Sequence, residues 1–525
     1  MQRLGFGCLV FSCGLAACGG GTTFELALVP QTASNQDPFS GASQIDLILD
    51  HESGEPERWT LDSVQGSTSI DVEGALVDTR IRVEVQKNNA VAAVGQTGPI
   101  DLSNGETSAG VLVVQTDAMA FLEELGTRSF GAGVVAAGDG RFLVFGGLDI
   151  RDFNKDGTDN DVILSLDLGA LEAGETPLFV EVNTLPEYGI GHDGTDFEVE
   201  QVAGRHGHTA SLVQSEAGPQ VLVAGGGHGF AVFENTTAST FLYDLASGEI
   251  EVLSQQQDLK NPRYLHQAAT NSDGDVVVMG GFARVEPGFI AAETTFEVYN
   301  TEEKDFERPQ ELQAAGLYGM AVSLGHQGVV YCGGGSLAGG TSWIPDARCV
   351  QISLAGEVNT IFEDLPLPLT HASMVALDDE LLLVTGGITS DVGIEQDSGT
   401  AALSSAFVYS PENGWSEIAG GMNLARARHE SVLLPDGRVL LLGGVTHTGL
   451  QFPAGSALAC AEIFDPATET FAPLGTCTEE HSIATLPTQM SDIGLAVDPE
   501  FGILLTGGLN SEGSIQSTAL WGLVP

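Results

Sequence analysis

The chain has 525 residues and a formal net charge of −52, because 19 Lys and Arg residues stand against 71 Asp and Glu residues. This acidity excludes nucleic acid as a natural partner and disfavours docking on anionic lipid headgroups, since phosphate binding requires a basic surface. We interpret the charge as a whole as a source of solubility and self-repulsion, with cation-dependent binding at the surface as the alternative.

The N-terminal residues have the features of a processing signal. Arg3 precedes an apolar run, Leu4 to Ala17, that is too short to span a bilayer, which needs about 20 residues. The segment Leu-Ala-Ala-Cys ending at Cys18 is similar to the lipobox of bacterial lipoproteins. That resemblance implies cleavage before Cys18 and acylation of this cysteine. An ordinary signal peptide with incidental cysteines is the alternative.

Gly rather than Asp follows Cys18, and by the rule for lipoproteins this implies the outer membrane of a Gram-negative cell. Which side of that membrane the protein faces is left open. We assign residues 1–17 to a lipoprotein signal peptide and residues 18–23 to the lipidated cysteine and a tether. The protein would contact the membrane only through this lipid.

Residues 24–117 contain short alternating apolar runs separated by Gly, Ser, Asn and Asp turns. The runs read TFELALV, QIDLILD, SIDVEG, RIRVEVQ and GVLVVQ. Strands at this spacing predict a small β-sandwich that is immunoglobulin-like in the broad sense. We expect this domain to hold the rest of the protein away from the membrane.

Seven short apolar runs in the remainder of the chain each end in a Gly-Gly pair. The pairs are Gly146-Gly147, Gly225-Gly226, Gly280-Gly281, Gly333-Gly334, Gly386-Gly387, Gly443-Gly444 and Gly507-Gly508. Their spacings are 79, 55, 53, 53, 57 and 64 residues. A period in this range indicates a repeat architecture.

Each repeat is predicted to contain four short strands, which residues 428–474 show most clearly. An apolar-polar run is followed by a Pro-Asp-Gly turn, a buried second strand with the Gly pair, a long segment, and then two further strands around Pro466. Radial repetition of such units gives a β-propeller. We predict an all-β fold with a seven-bladed propeller over residues 118–525, with six blades as the fallback. Because the last unit lacks a fourth strand, residues 118–125 are predicted to complete it and close the ring.

The repeats resemble the Kelch and galactose-oxidase group of propellers. The resemblance rests on the Gly pairs, on RHESVLLPDGRVLLLGG, and on the EIFDP, FLYD and EVYN segments with a later aromatic residue. The Arg and His that the group carries before the first strand are present as Arg205/His208, Arg263/His266 and Arg426/His429. Because they recur in successive units, we interpret them as structural.

Four cysteines remain after the signal and the lipidated Cys18 are set aside. They fall into two pairs, Cys332 with Cys349 and Cys460 with Cys477, each 17 residues apart. Both pairs can sit on neighbouring strands of one blade, so we predict two disulfides in an oxidising environment. A metal site is the alternative.

An acidic loop in the first repeat resembles the calcium loops of EF-hands and of FG-GAP propeller repeats. Its oxygen-bearing candidates follow an Asp-x-Asn-x-Asp-Gly spacing and are Asp152, Asn154, Asp156, Asn160 and Asp161. Hard cations such as calcium require six to eight oxygen ligands at close range. We predict a structural calcium ion here, with an ion-free acidic hairpin as the alternative.

The longest loops follow the Gly pairs and should share one face of the propeller. Binding residues tend to lie on long loops displayed by a rigid scaffold. We therefore predict a ligand-binding face that carries His192, His228, Trp343 and His447. Its expected partner is a protein or a glycan.

The function predicted from the sequence is that of a surface-anchored, non-catalytic propeller lipoprotein. No residue is assigned a catalytic role, because we find no Gly-x-Ser-x-Gly elbow, zinc motif or phosphate loop. The alternative implied by the resemblance is a carbohydrate-active enzyme of the sugar-oxidase or sialic-acid mutarotase type. Copper is not expected, since the four cysteines are predicted to pair and leave none to crosslink with a Tyr as in galactose oxidase. A polar axial pocket would favour the enzyme, and an apolar channel the binder.

The lipid anchor gives a direct prediction. Cys18→Ser should abolish incorporation of radiolabelled palmitate and move the protein from the membrane to the soluble fraction of a Gram-negative host, because the acylated sulfur is lost. Palmitate labelling that persists in the variant would contradict the assignment.

Overall fold

A computed structural model of the chain describes most of it, in ranges separated by short gaps. The described residues are 22–30, 37–50, 56–61, 68–72, 79–100, 108–116, 119–122, 129–152, 156–171, 178–190, 200–216, 218–229, 236–286, 289–314, 316–338, 342–359, 362–389, 400–448, 457–474, 486, 491–510, 513–514 and 518–521. Within these ranges the fold is all β, as predicted, apart from one 3₁₀ turn at Gly325–Gln327. None of the helical residues in these ranges forms a segment long and apolar enough to cross a membrane.

Seven strands form the N-terminal domain. They are β1 (Thr22–Pro30), β2 (Gln44–Asp50), β3 (Glu57–Leu61), β4 (Thr68–Val72), β5 (Arg80–Lys87), β6 (Ala90–Gln96) and β7 (Ser108–Gln115). They are hydrogen-bonded in the order β3-β2-β5-β6-β7-β1-β4, with β1 parallel to β7. Alternate residues of β2, β5 and β7 enclose one apolar core, as the period-two pattern of the sequence requires.

The propeller strands follow in chain order, beginning with β8 (Met119–Leu122). Blade 1 comprises β9 (Gly133–Gly138), β10 (Arg141–Phe145), β13 (Val162–Asp167) and β14 (Val180–Thr184), with the hairpin β11 (Leu148–Asp152) and β12 (Asp156–Asp159) between β10 and β13. The hairpin β15 (Tyr188–Ile190) and β16 (Glu200–Val202) leads to blade 2, which comprises β17 (Thr209–Ser215), β18 (Gly218–Ala224), β19 (Thr240–Asp244) and β20 (Ile250–Val252). Blade 3 comprises β21 (Gln267–Thr270), β22 (Val276–Met279), β25 (Thr295–Asn300), β26 (Asp305–Phe306) and β27 (Gln310–Glu311), with the hairpin β23 (Phe282–Glu286) and β24 (Phe289–Ala292).

Blades 4 to 7 repeat the same order. Blade 4 comprises β28 (Met320–Ser323), β29 (Val329–Cys332), β32 (Cys349–Ile352) and β33 (Val358–Asn359), with the hairpin β30 (Gly335–Ala338) and β31 (Ser342–Pro345). Blade 5 comprises β34 (Ser373–Ala376), β35 (Leu382–Thr385), β37 (Ala406–Ser410) and β38 (Gly414–Glu417), and blade 6 comprises β39 (Glu430–Leu433), β40 (Val439–Leu442), β42 (Ala461–Asp465) and β43 (Thr470–Leu474). Their loop strands β36 (Thr400–Ala401) and β41 (His447–Thr448) pair with each other. Blade 7 comprises β44 (Gly494–Asp498), β45 (Gly502–Thr506) and β48 (Thr518–Trp521), with the hairpin β46 (Leu509–Asn510) and β47 (Gly513–Ser514).

The ring closes as predicted, with seven blades. Strand β48 of blade 7 pairs antiparallel with β8, so residues from upstream of blade 1 supply the missing fourth strand. The closing strand spans Met119–Leu122, within the predicted range 118–125.

The Gly pairs mark a close approach between consecutive blades. The second Gly of a pair donates its backbone N–H to a carbonyl four residues before the first strand of the next blade, as from Gly147 to Arg205 at 2.8 Å and from Gly387 to Arg426 at 2.9 Å. A Cβ on Gly386 would lie 2.1 Å from the Arg426 carbonyl oxygen, and the Gly386 φ is +62°. Both features require Gly.

The N-terminal domain packs against the propeller. Leu112 and Val114 of β7 share an apolar cluster with Phe142 and Leu166 of blade 1 and with Leu504 of blade 7. The contact lies at the turns between first and second strands, which is the end opposite the Gly pairs. The expectation that this domain only spaces the propeller from a membrane therefore leaves out a direct contact with blades 1 and 7.

The close approach at the Gly pairs can be tested against a matched glycine. Gly437 also has a positive φ, +87°, but a Cβ there would meet nothing within 4 Å. We expect Gly437→Ala to cost about 1–2 kcal/mol of unfolding free energy, the strain of a positive φ alone. Gly386→Ala should cost about 1–3 kcal/mol more, because the Arg426 backbone must shift. Urea unfolding measures both, and equal losses would refute the role of the close approach.

Candidate functional site

One backbone position, repeated in every blade, forms a ring around the propeller axis. It lies two residues before each first strand, and its φ is between +50° and +64° in all seven blades. The ring residues are Gly131, Gly207, Leu265, Tyr318, His371, Arg428 and Asp492. Non-glycine residues at positive φ are uncommon and concentrate at functional sites. Five of the seven ring residues here are not glycine.

Backbone hydrogen bonds link the ring residues from blade to blade. Gly207 N–H donates to the Gly131 carbonyl at 2.7 Å, and Arg428 N–H donates to the His371 carbonyl at 2.9 Å. The same bond joins Leu265 to Gly207, His371 to Tyr318, and Asp492 to Arg428. These bonds hold the positive φ values in place, so the ring side chains are fixed by the scaffold.

A cavity of about 220 Å³ lies at this ring and is lined by all seven blades. Besides the ring, it is lined by the following residues of each blade, among them His208, His266, His429 and Glu430. The residue before each ring residue forms a β-bridge with the residue that follows a Gly pair, as Ala427 does with Val445. The cavity therefore opens on the face that carries the long loops.

The polar side chains of the ring are concentrated on blades 4 to 7. Arg428 Nε donates to Asp492 Oδ1 at 2.8 Å, and Ser491 Oγ donates to Asp492 Oδ2 at 2.7 Å. The Tyr318 and His371 rings are stacked with centroids 4.0 Å apart. The side chains of Arg428 and Asp492 are 14% and 20% exposed, whereas Arg263 and Arg426 are 0% exposed. The Arg428–Asp492 pair thus faces the cavity, unlike the arginines of the blade cores.

Burial shifts the protonation of the cavity groups. Burial, reinforced by the Asp492 carboxylate, raises the pKa of Glu430 to about 8. Burial and then the Arg428 cation hold the pKa of His371 well below its usual value. At neutral pH the cavity therefore contains a protonated carboxyl group and a neutral imidazole, the two components of acid–base chemistry.

The Arg and His residues before the first strands have the structural role that the sequence predicted. Arg426 donates to the carbonyls of Gly443 and Cys460 and pairs with Glu462 at 2.7 Å, fully buried. Arg263 makes the equivalent contacts with Gly280, Thr295 and Glu297. The histidines reach the preceding blade, as His429 does to Thr385 at 2.8 Å. These residues fix the ends of the blades at the Gly pairs and pack next to the ring residues.

The predicted binding face is only partly brought together. His228 lies 3.1 Å from Asp159, and the exposed His447 lies on β41. Trp343 belongs to β31, but its side chain lies outside the described part of the structure, as does all of His192. Of the two whose side chains are described, neither His228 nor His447 lines the axial cavity. Their role in binding remains a prediction.

The acidic loop of blade 1 forms the β11–β12 hairpin, in which Asp152 pairs with Asp156. Asn154 lies outside the described residues, and Asp161 is exposed. The backbone N–H of Asn160 donates to the Gly147 carbonyl. The described residues hold no group of three or more His, Cys, Asp or Glu that could bind a metal. The calcium ion is therefore still a prediction.

Asp159 of the same hairpin has a different role. Its buried carboxylate accepts from His206 Nδ1 at 2.5 Å and from the Gly229 N–H at 2.5 Å. It thereby ties the loop of blade 1 to blade 2.

Cys332 and Cys349 are joined by a disulfide across β29 and β32, as predicted. Cys460 is a free, buried thiol, and Cys477 lies outside the described residues. The structure therefore does not show the second predicted bridge, which stays a prediction. Cys18 also lies outside the described residues, so its acylation is likewise untested.

Comparison with protein-family profiles finds no match, and comparison with curated proteins finds no similar sequence. Among solved structures the chain is similar to a fungal alcohol oxidase of the AA5 family in complex with copper. The TM-score is 0.50 at 17% sequence identity, and the match covers 77% of this chain and 75% of that one. At this identity the likeness shows the fold, a galactose-oxidase-like propeller.

This comparison corrects the expectation that no copper is bound, because the solved structure of the same fold is a copper complex. The residue types that bind copper are present at the axis, since Tyr318 and His371 lie side by side. Among the described residues, however, no group of three or more His, Cys, Asp or Glu lies there that could hold a metal ion.

The sequence did not point to Tyr318, His371, Arg428, Glu430 or Asp492. A signal for them exists when the seven repeats are aligned on their Gly pairs. The column two residues before the first strand reads Gly, Gly, Leu, Tyr, His, Arg and Asp, whereas the column one residue later holds His in three repeats and the column two residues earlier holds Arg in three repeats.

The protonation of Glu430 gives a prediction for stability against pH. Because its folded pKa of about 8 exceeds the unfolded value of 4.5, the Glu430 contribution is fully present below pH 4.5 and is lost as pH rises through 8. Glu430→Gln cannot ionise, so the Tm of the variant minus that of the wild type should increase from pH 4.5 to 8 and then level off. Glu417→Gln, at an exposed position of β38, is the control. A difference that does not vary with pH would contradict the shift.

Proposed function

We propose that the protein is a carbohydrate-active enzyme whose active site is the axial cavity. The observation that carries the proposal is the clustering of Tyr318, His371, Arg428, Glu430 and Asp492 in one cavity. The sequence-based criterion favours an enzyme when polar groups converge at the axis. A cavity of about 220 Å³ is smaller than the roughly 300–1,000 Å³ of drug-sized ligand sites. It suits a small polyhydroxylated molecule such as a monosaccharide.

The groups in the cavity support acid–base chemistry on a cyclic hemiacetal. Glu430 would donate its proton to the ring oxygen while His371 accepts the proton of the anomeric hydroxyl. The bond between the anomeric carbon and the ring oxygen then breaks, and a carbonyl forms. The reverse proton transfers close the ring on either face, so that the anomers interconvert without a net change in atoms or electrons.

Arg428 would orient the substrate in this scheme. Its guanidinium is held by Asp492 and by the positive-φ backbone, so little side-chain freedom is lost when a substrate oxygen binds. Burial opposes the Arg428 charge, but Asp492 and then Tyr318 keep the pKa of Arg428 above its usual value. The cation therefore persists in the cavity throughout the neutral range.

A second candidate function is oxidation of an alcohol or sugar hydroxyl. The observation that favours it is the copper-complexed alcohol oxidase on the same fold. Copper, when bound, supplies one-electron chemistry. Metal analysis of the purified protein and an assay for hydrogen peroxide after copper loading distinguish this candidate from acid–base chemistry.

A third candidate function is the non-catalytic binding protein predicted from the sequence. An envelope location through Cys18 and a protein or glycan ligand on the loop face remain our proposals for the protein's setting. Binding there would involve His447 rather than the axial cavity.

The test is an anomer-exchange assay by NMR on a panel of reducing sugars, without added metal. We expect exchange above the uncatalysed rate that falls by about 10²–10⁴-fold in Glu430→Gln, because one proton-transfer group is lost. Glu417→Gln, outside the cavity, should retain full activity. Copper-dependent peroxide production without anomer exchange would reject acid–base chemistry and favour the oxidase. If no sugar is turned over, and if glycan binding is retained in Glu430→Gln but lost in His447→Ala, the protein is a glycan-binding protein and not an enzyme.

A further inference from the structure

The propeller has one seam, which separates strands β44, β45 and β48 of blade 7 from β8 and blade 1, because these two parts lie at opposite ends of the propeller chain and meet only through noncovalent contacts. The closing contact is the pairing of β8 with β48, which spans four residues on each strand. Another bond crosses the seam, from the Gly140 N–H of blade 1 to Asp498 Oδ2 of blade 7 at 3.0 Å. Opening of the ring would begin here, because every other junction between neighbouring strands or blades around the ring is also linked through the chain.

The N-terminal domain contacts both sides of this seam. Arg80 Nη2 donates to Asp139 Oδ1 of blade 1 at 2.6 Å, and Arg80 Nη1 donates to Glu500 Oε2 of blade 7 at 2.5 Å. Gln96 adds a second bond to Glu500 at 3.0 Å. A single arginine of this domain therefore crosslinks the turns of the two blades that meet at the seam.

Backbone and apolar contacts extend the same footprint. Gly98 N–H donates to the Gly169 carbonyl at 2.8 Å, and Gly110 N–H donates to the Leu171 carbonyl at 2.7 Å, both in blade 1. Val114 of β7 is 5% exposed and packs in a cluster that contains Phe142 of blade 1 and Leu504 of blade 7. Water is thus excluded on both sides of the seam by one strand of the N-terminal domain.

The chain connects this footprint directly to the closing strand. Strand β7 ends at Gln115, and β8 begins at Met119. Docking of β7 on blades 1 and 7 therefore holds the start of β8 next to the blade that it completes. Separation of the blades would require the domain to leave one of them and would pull on β8.

We propose that the N-terminal domain is an intramolecular clamp that holds the propeller ring closed at this seam, by bridging blade 1 and the strands of blade 7 that β8 completes. The domain contributes to the fold of the propeller itself, in addition to any role as a spacer. The clamp does not depend on the function of the axial cavity.

The test is amide hydrogen exchange of the full chain, read on β8 and β48. Arg80→Gln removes both crosslinks and should speed exchange there roughly threefold, the small effect expected of partly exposed ion pairs. Arg58→Gln is the matched control, since Arg58 also contacts two carboxylates, Asp46 and Glu84, but within the N-terminal domain. It should leave β8 and β48 unchanged.

A second pair of variants probes the apolar contact with identical chemistry. Val114→Ala removes methyl groups from the docking cluster, whereas Val113→Ala removes them from the domain's own core on the opposite face of β7. We expect Val114→Ala to speed exchange of β8 and β48 roughly fivefold or more, and Val113→Ala to act mainly on β2 and β5. Exchange of β8 that is unchanged in both Arg80→Gln and Val114→Ala, or equally fast in the control variants, would overturn the clamp.

Discussion

The architecture depends on one repeated hydrogen bond, from the second glycine of a Gly pair to the backbone just before the next blade, which the described residues show for five of the seven pairs. The contact requires glycine, because a Cβ on Gly386 would lie 2.1 Å from the same Arg426 carbonyl oxygen that accepts the hydrogen bond of Gly387. It brings the start of each first strand close to the axis. The buried arginines then fill the space behind, with their guanidinium groups on the carbonyls of the Gly-pair glycines.

The site follows from the same geometry. The residue two positions before each first strand has a positive φ in all seven blades, and in five of them its N–H donates to its counterpart in the preceding blade. The scaffold thus presents seven equivalent positions whose side chains are free to differ. Two are glycine, and the polar side chains occupy one side of the ring. The symmetric scaffold therefore encloses a cavity with an asymmetric lining.

The repeat, the number of blades and the closing strand could be predicted from the sequence because each depends on local patterns. Gly pairs and alternating runs report backbone requirements that recur at fixed spacing. The cavity could not be predicted in this way, because Tyr318, His371, Arg428 and Asp492 are far apart in the chain and meet only when the ring closes. The docking of β7 on blades 1 and 7 was missed for the same reason. Copper was rejected on cysteine pairing alone, and the copper complex of a similar fold shows that this argument was too narrow.

We propose that the axial cavity, rather than the loop rim, is where the protein binds its substrate. The most direct measurement is a crystal structure of Glu430→Gln soaked with a mixture of monosaccharides, in which turnover is blocked. We predict sugar density within the ring, with hydroxyl oxygens at hydrogen-bonding distance from Arg428 and Gln at position 430. Sugar bound only on the long loops, with the cavity filled by water, would show that the cavity is not the substrate site.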